Sequence, residues 1–308
     1  MRGEVSATYL DYPKAAERAA MLLPSAKIVV LLREPVSRLV SSFNMKWQVQ
    51  LCGKLTWTRS DCYNGITSIQ VINQNSVAKK QRLAALAVWE RCNRRNASAS
   101  SVGHEGGVMD AECLRDDFIQ KLSDKVELEM ARLDQCAKDK WDDVSECLGL
   151  GGLDSTQLYQ TMEHQVDVWR SMYVDHLRRW LKVYPAESIL VIPSEALKTA
   201  TTFKQVMGKF AALLDLPQAG PEVHPELITQ ASPGSTSGGV RENGRTYIGG
   251  ISTRLKDRLN RVFCPKNQEL AQLFLEKRLV RRIDDVPWLS TALKKEDCPY
   301  PPLITQST

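Results

Sequence analysis

No stretch of the sequence approaches the ~20 consecutive apolar residues that cross a bilayer, and nothing in it reads as a membrane-spanning helix. The opening run Met1-Arg2-Gly3-Glu4-Val5 lacks the apolar core of a secretory signal. Histidine is scarce, with four in 308 residues, and no two of the eight cysteines form a Cys-x-x-Cys pair, so a zinc site explains the cysteines poorly. The loop Gly-x-x-x-x-Gly-Lys-Ser/Thr does not occur, which argues against a nucleoside-phosphate kinase. There is no internal repeat. There is no long basic block either: net charge is +5, with Lys and Arg spread along the chain, so a nucleic-acid groove has no support, while a local basic pocket for a small anion stays compatible.

What is present describes a folded protein. With 43% hydrophobic and 25% charged residues the chain can bury one large core or two small ones, and disorder is not its main character. Cys52, Cys62, Cys92, Cys113, Cys136, Cys147, Cys264 and Cys298 form an even set concentrated in irregular sequence. Two readings stay open for them: disulfides of a secretory lumen, or reduced buried thiols. Asn96-Ala97-Ser98 has the form of an N-glycosylation acceptor within a polar Ser/Gly stretch, a weak pointer to the same lumenal address.

The order of hydrophobic patterns is that of an α/β protein. Val5 to Leu10 reads as a short strand and about Pro13 to Leu23 as a helix. Lys27-Ile28-Val29-Val30-Leu31-Leu32 is the strongest strand signal, a continuous apolar run of the kind found in parallel strands covered on both faces. Pro35 then suits the first position of a helix that continues through Arg38, Ser41 and Met45. Helices are predicted at 78–94 and 111–138, within a less regular region from about 51 to 152. Leu158, Met162, Val166, Trp169, Tyr173, Leu177 and Trp180 make one broad apolar face of a long helix, in which the aromatics read as core. Ser188 to Pro193 is a second buried-type strand and Phe203 to Leu214 another helix, completing a strand-helix-strand grammar. Residues 230–250 are a Gly/Ser-rich loop. Leu255 to Phe263 and Asn267 to Leu279 read as two helices broken at Cys264-Pro265, before a mobile tail at about 299–308.

Chemistry concentrates where the first buried strand ends. Arg33 at that end, with Ser41 eight positions later, could surround a phosphate with a guanidinium, a hydroxyl and the free amides of a helix N-terminus. Taken alone, the same pair is compatible with an ordinary ion-pairing arginine and a small residue at a helix contact.

The segment Lys27-Ile28-Val29-Val30-Leu31-Leu32-Arg33-Glu34-Pro35-Val36-Ser37-Arg38-Leu39-Val40-Ser41-Ser42-Phe43 resembles the 3′-phosphate-binding segment of the carbohydrate and heparan sulfotransferases, an apolar strand followed by Leu-Arg-x-Pro and Arg-x-x-Ser-x-aromatic. Further similarities follow in family order. Gly3 to Leu10 is similar to the Glu-Lys-Ser/Thr-Pro-x-Tyr segment. Tyr173 to Leu181 resembles the Tyr-x-x-His-Leu-x-x-Trp-Leu helix, and Ile189 to Leu197 the next strand with its Ser-Glu-x-Leu ending. Asn243-Gly244-Arg245-Thr246-Tyr247 resembles the Lys-Gly-Arg-x-Tyr/His-Pro loop that closes over the nucleotide. Val5 stands where many relatives carry a Lys, and Ile248 where they carry the loop Pro.

The resemblance implies a P-loop-NTPase-like sulfotransferase fold, a central parallel sheet flanked by helices and lacking its first strand or strands, in a single domain over 1–308 with a variable insertion at about 51–152. It implies 3′-phosphoadenosine 5′-phosphosulfate as donor, no metal, a glycosaminoglycan or other glycan as acceptor, no nucleic acid, and a Golgi parent held in the membrane by an anchor absent here. Arg33 and Ser41 would bind the 3′-phosphate, Gly244, Arg245 and Thr246 would close over the nucleotide, and Arg38 would hold the helix in place. The 5′-phosphosulfate loop and the catalytic base are expected upstream of Met1, so that this chain would be a piece of an active enzyme. The alternative is a noncatalytic protein that binds nucleotide or carbohydrate.

Overall fold

A computed structural model describes residues 3–6, 8–52, 87–88, 90–92, 111–139, 144–150, 167–216, 251–280, 282–294 and 298. The two apolar runs form the strands β1 (Ile28–Leu32) and β2 (Ile189–Pro193), paired in parallel with Ile28 opposite Ile189 and Leu32 opposite Pro193. The described helices are α1 (Ala15–Leu22), α2 (Pro35–Cys52), α3 (Ala111–Lys138), α4 (Val144–Cys147), α5 (Tyr173–Val183), α6 (Ala200–Leu213), α7 (Thr253–Glu276) and α8 (Pro287–Ala292). The α/β class read from the sequence therefore holds. Among the described residues no helix is long and apolar enough to cross a membrane.

The chain divides into two compact units, the first made of 1–37, 131–242 and 257–308 and the second of 38–130 and 243–256. In the first unit, one face of the sheet carries the core. Val30 and Leu32 of β1 meet Ile189 and Val191 of β2, Val174, Leu177 and Trp180 of α5, and Leu270 and Phe274 of α7. Each fully buried aliphatic or aromatic side chain of this kind contributes about 1.5–3 kcal/mol.

The other face differs from expectation. Val29 is 41% and Leu31 56% exposed, so among the described residues β1 is covered on one face. An unbroken apolar run cannot distinguish a strand buried twice from one whose second apolar face stays open, because both give the same string of letters.

Three further elements depart from the sequence reading. Val5 to Leu10 is not a strand: Tyr9 to Asp11 form a turn, with the Tyr12 amide bonded to the Thr8 carbonyl. The long helix expected to reach Trp180 is broken within its described part, where Trp169–Ser171 form a 3₁₀ turn and Met172 leaves the helical region before α5 begins. At the other end of the chain, α7 runs unbroken through Pro265. A proline inside a helix costs about 3 kcal/mol. Burial of Leu259, Val262 and Phe263 before it and of Leu270, Ala271 and Phe274 after it offsets that cost. The expected helix at 78–94 is described only at 87–88 and 90–92, which are helical.

Disulfides join Cys136 to Cys147 and Cys264 to Cys298 in the first unit and Cys92 to Cys113 in the second. Of the two readings of the cysteines, paired bridges are the one the described residues take. Cys62 lies outside those residues.

The second unit is held by aromatic stripes. Leu39, Phe43 and Trp47 recur every four residues on α2, and Phe118, Leu122 and Val126 do so on α3, which makes one apolar face on each helix. Phe118 meets Phe43 and Trp47 edge-on, with ring centroids 5.3 and 5.7 Å apart.

Beside these rings lies the buried carboxylate of Asp117. It accepts hydrogen bonds from Arg91 Nη2 at 2.6 Å and Trp47 Nε1 at 3.1 Å, and pairs with Lys121 Nζ at 2.9 Å. Burial pushes its pKa up, but the bonds from Lys121, Trp47 and Arg91 together with the Lys121 charge outweigh it and hold the carboxyl below the usual range. A depressed carboxylate stabilises the fold above its unfolded pKa, and that contribution disappears as pH falls through the folded value. Asp117→Asn should therefore cost about 1–2 kcal/mol at neutral pH. Denaturant midpoints should show the gap to wild type closing once pH drops below the ordinary Asp value of 3.8. A gap independent of pH would contradict this.

Candidate active site at the carboxyl ends of the strands

Both strands end at the same edge of the sheet, because they are parallel and Leu32 lies opposite Pro193. The next residues are Arg33 and Glu34 after β1, and Ser194 and Glu195 after β2. Ligands of α/β proteins bind at this edge, outside the carboxyl ends of the strands. Arg33 is half-buried there. Ser194 Oγ donates to Glu195 Oε1 at 3.2 Å, and the other Glu195 carboxylate oxygen is buried with no hydrogen-bond partner among the described residues.

The start of α2 corrects one expectation. Two of its first-turn amides are not free: the Glu34 carboxylate accepts from the Val36 amide at 2.9 Å and the Ser37 amide at 2.6 Å, and Pro35 has no amide to offer. A carboxylate at a helix N-terminus satisfies donors that the helix cannot satisfy itself and complements its dipole. The Val36 and Ser37 amides that the sequence offered to a phosphate are taken by the chain's own side chain. Glu34→Ala should lower stability by about 1 kcal/mol in denaturant unfolding, with Glu34→Gln losing less because one acceptor oxygen remains. Equal stabilities for wild type and Glu34→Ala would show that the cap is energetically idle.

Helix α5 and the residue after it hold main-chain carbonyls far away in sequence, one of them at this edge. Tyr173, its first residue, donates its hydroxyl to the Arg33 carbonyl at 2.9 Å. Arg179 Nη2 donates to the Asp11 carbonyl and Trp180 Nε1 to the Leu10 carbonyl, both at 3.2 Å, and this decides the Tyr9–Asp11 turn against a strand. Just past the helix, the Tyr184 hydroxyl donates to the Leu23 carbonyl at 2.9 Å, and burial pushes its pKa up. Asp11 forms a buried ion pair with Arg170.

The outer side of α5 is tied to α7. Arg178 pairs with Glu269 at 2.8 Å and Lys266 with Asp175 at 3.2 Å. At the N-terminal end of the chain, Tyr9 donates to Glu4 Oε1 at 2.5 Å, and this bond, with the Glu4 charge, pushes the phenol pKa up.

His176 is fully buried within this framework. Its Nδ1 lies 2.9 Å from Arg179 Nη2, which can only donate, and its Nε2 lies 3.0 Å from the Trp169 carbonyl, which can only accept. The ring is therefore the neutral tautomer with its proton on Nε2. Neither nitrogen is available to take a proton from a substrate.

Of the residues singled out from the sequence, Arg33 sits at the end of β1 in the first unit. Ser41 is half-buried on α2 in the second unit. Arg38 is half-buried on the same helix. Gly244, Arg245 and Thr246 lie outside the described residues. Sequence reading did not find the positions of Glu34 and Tyr173. Glu34 carried a usable signal, an acidic residue immediately before a helix-starting proline, whereas the Tyr173 contact links positions 140 residues apart and has no local signature.

A family model for the sulfotransferase domain matches residues 12–243, a span that contains Arg33 and Ser41 and ends just before Gly244. None of the curated proteins searched matches the chain.

Proposed function

Because the chain belongs to the sulfotransferase domain family, we propose that it transfers a sulfuryl group from 3′-phosphoadenosine 5′-phosphosulfate to a hydroxyl or amine of a carbohydrate. Arg33 and Ser41 hold the donor's 3′-phosphate. Gly244, Arg245 and Thr246 belong to the loop that closes over the nucleotide, where glycine permits close backbone approach and the guanidinium adds a charge-assisted contact. The observation that carries the donor assignment is Arg33, a cation at the carboxyl end of a core strand whose main chain is held by a tyrosine hydroxyl from another element.

Sulfuryl transfer needs an acceptor oxygen or nitrogen in line with the sulfur, a base for its proton, and cations or N–H donors for charge developing on the bridging oxygen. The 3′-phosphate anchor serves the first requirement. It fixes the adenosine end of the donor, so that the sulfuryl group arrives in one place. His176 is not the base, for the reasons given by its two hydrogen bonds.

We place the protein in the Golgi lumen. Three disulfides among the described residues support an oxidising compartment, as does the acceptor triplet Asn96-Ala97-Ser98.

The test is release of adenosine 3′,5′-bisphosphate from the donor in the presence of desulfated glycosaminoglycans and neutral glycans, with the product sugar analysed for new sulfate. Sulfate on one glycan class identifies the acceptor. Donor binding without transfer to any of them would favour the noncatalytic reading, and the absence of donor binding would refute both.

A further inference from the structure

We propose that Tyr173 is a positioning residue for the donor's 3′-phosphate, acting through Arg33 without touching the nucleotide. The inference rests on the donor reading given above.

Tyr173 opens α5 with its ring buried and tilted against Trp288, centroids 6.1 Å apart, so its hydroxyl has a fixed place. That hydroxyl donates to the Arg33 carbonyl at 2.9 Å, across 140 positions of sequence. Arg33 lies just beyond the last ladder pair, Leu32 with Pro193, where the strand no longer determines the direction of the main chain. On the other side of the same peptide, Glu34 is engaged with the Val36 and Ser37 amides. The peptide between Arg33 and Glu34 is thus held from both ends, by a tyrosine that is fixed in the core and by a helix cap.

An arginine side chain is long, and the geometry of its guanidinium depends on how firmly its root is held. A hydroxyl is the only group that distinguishes Tyr173 from phenylalanine, and its bond goes to the root of Arg33. Removing it leaves the ring, the core and the Arg33 charge in place and loosens one peptide. The loss should fall on recognition of the phosphate that Arg33 meets, and not on the nucleoside.

The experiment is isothermal titration of the full chain with adenosine 3′,5′-bisphosphate and with adenosine 5′-monophosphate, for wild type, Tyr173→Phe, Arg33→Ala and the double variant. Tyr173→Phe should weaken the bisphosphate about three- to tenfold, leave the monophosphate unchanged, and cause no further loss once Arg33 is alanine. Equal losses for both nucleotides, an undiminished loss in the Arg33→Ala background, or no loss at all would overturn the proposal. If Arg33→Ala weakens the bisphosphate and Tyr173→Phe does not, this inference falls and the donor reading stands. If wild type and Arg33→Ala bind the bisphosphate equally, or neither binds it, the donor reading falls and takes this inference with it.

Discussion

Arg33→Ala should erase the advantage that a 3′-phosphate gives to a bound adenosine nucleotide. A hydrogen bond to a charged group is worth about 1.5–3 kcal/mol net, which converts to a loss of roughly 10- to 150-fold in affinity for adenosine 3′,5′-bisphosphate. Adenosine 5′-monophosphate offers nothing to Arg33 and should bind both proteins alike. Arg33→Lys should recover only part of the loss, since an ammonium supplies the charge without the planar fork that grips two phosphate oxygens. Because the Glu34 carboxylate occupies the nearby helix amides, few main-chain donors remain to compensate for the missing guanidinium. Competition titrations read the effect directly, and a loss shared equally by the two nucleotides would show that Arg33 supports the fold instead of the phosphate.

Asp11→Ala is the substitution expected to cost the fold most. Asp11 and Arg170 are 4% and 8% exposed and form an ion pair that has left water almost completely. Removing the carboxylate strands a guanidinium in the interior, a change that costs roughly 3–5 kcal/mol, against about 5–15 kcal/mol for the whole stability of a typical domain. The double variant Asp11→Ala/Arg170→Met should regain much of the loss, because the desolvated charge is then gone as well. Urea unfolding followed by circular dichroism measures both. A single-variant cost below about 1 kcal/mol would mean that water reaches Arg170 after all.

How far the sequence could be read depends on how local each decision was. The strand Ile28–Leu32, the helix begun by Pro35 and the strand Ile189–Pro193 follow from runs of neighbouring residues, and Arg33 could be singled out because it sits where one such run stops. Decisions made by distant partners were not legible. Val5 to Leu10 has the composition of a strand, yet its end enters the turn Tyr9–Asp11, since Trp180 and Arg179 take the carbonyls of Leu10 and Asp11. Pro265 has the appearance of a helix break and is not one, since apolar residues on both of its flanks are buried. The apolar letters of β1 said nothing about which face would be covered, and the eight cysteines said nothing about their pairing. The candidate site follows the same division: Arg33 and the capping Glu34 had local signals, and the Tyr173 hydroxyl that holds the Arg33 carbonyl had none.

The parallel pairing of β1 with β2 also sets a clock. Ile28 meets Ile189 only after the intervening chain exists, and at ribosomal rates of about 5–20 residues per second that takes roughly ten to thirty seconds. The bonds that fix the Leu10–Asp11 turn and the Arg33 peptide reach across 140 to 170 positions and must wait for the same stretch of chain. Through that interval β1, an apolar strand, is out on the nascent chain before β2 exists to pair with it. Contacts of such long range are slow to close even after synthesis, since the entropy of a large loop has to be overcome before any pairing rewards it. Yield in the cell is therefore expected to follow the supply of chaperones that shield this strand more closely than it follows the stability of the finished protein.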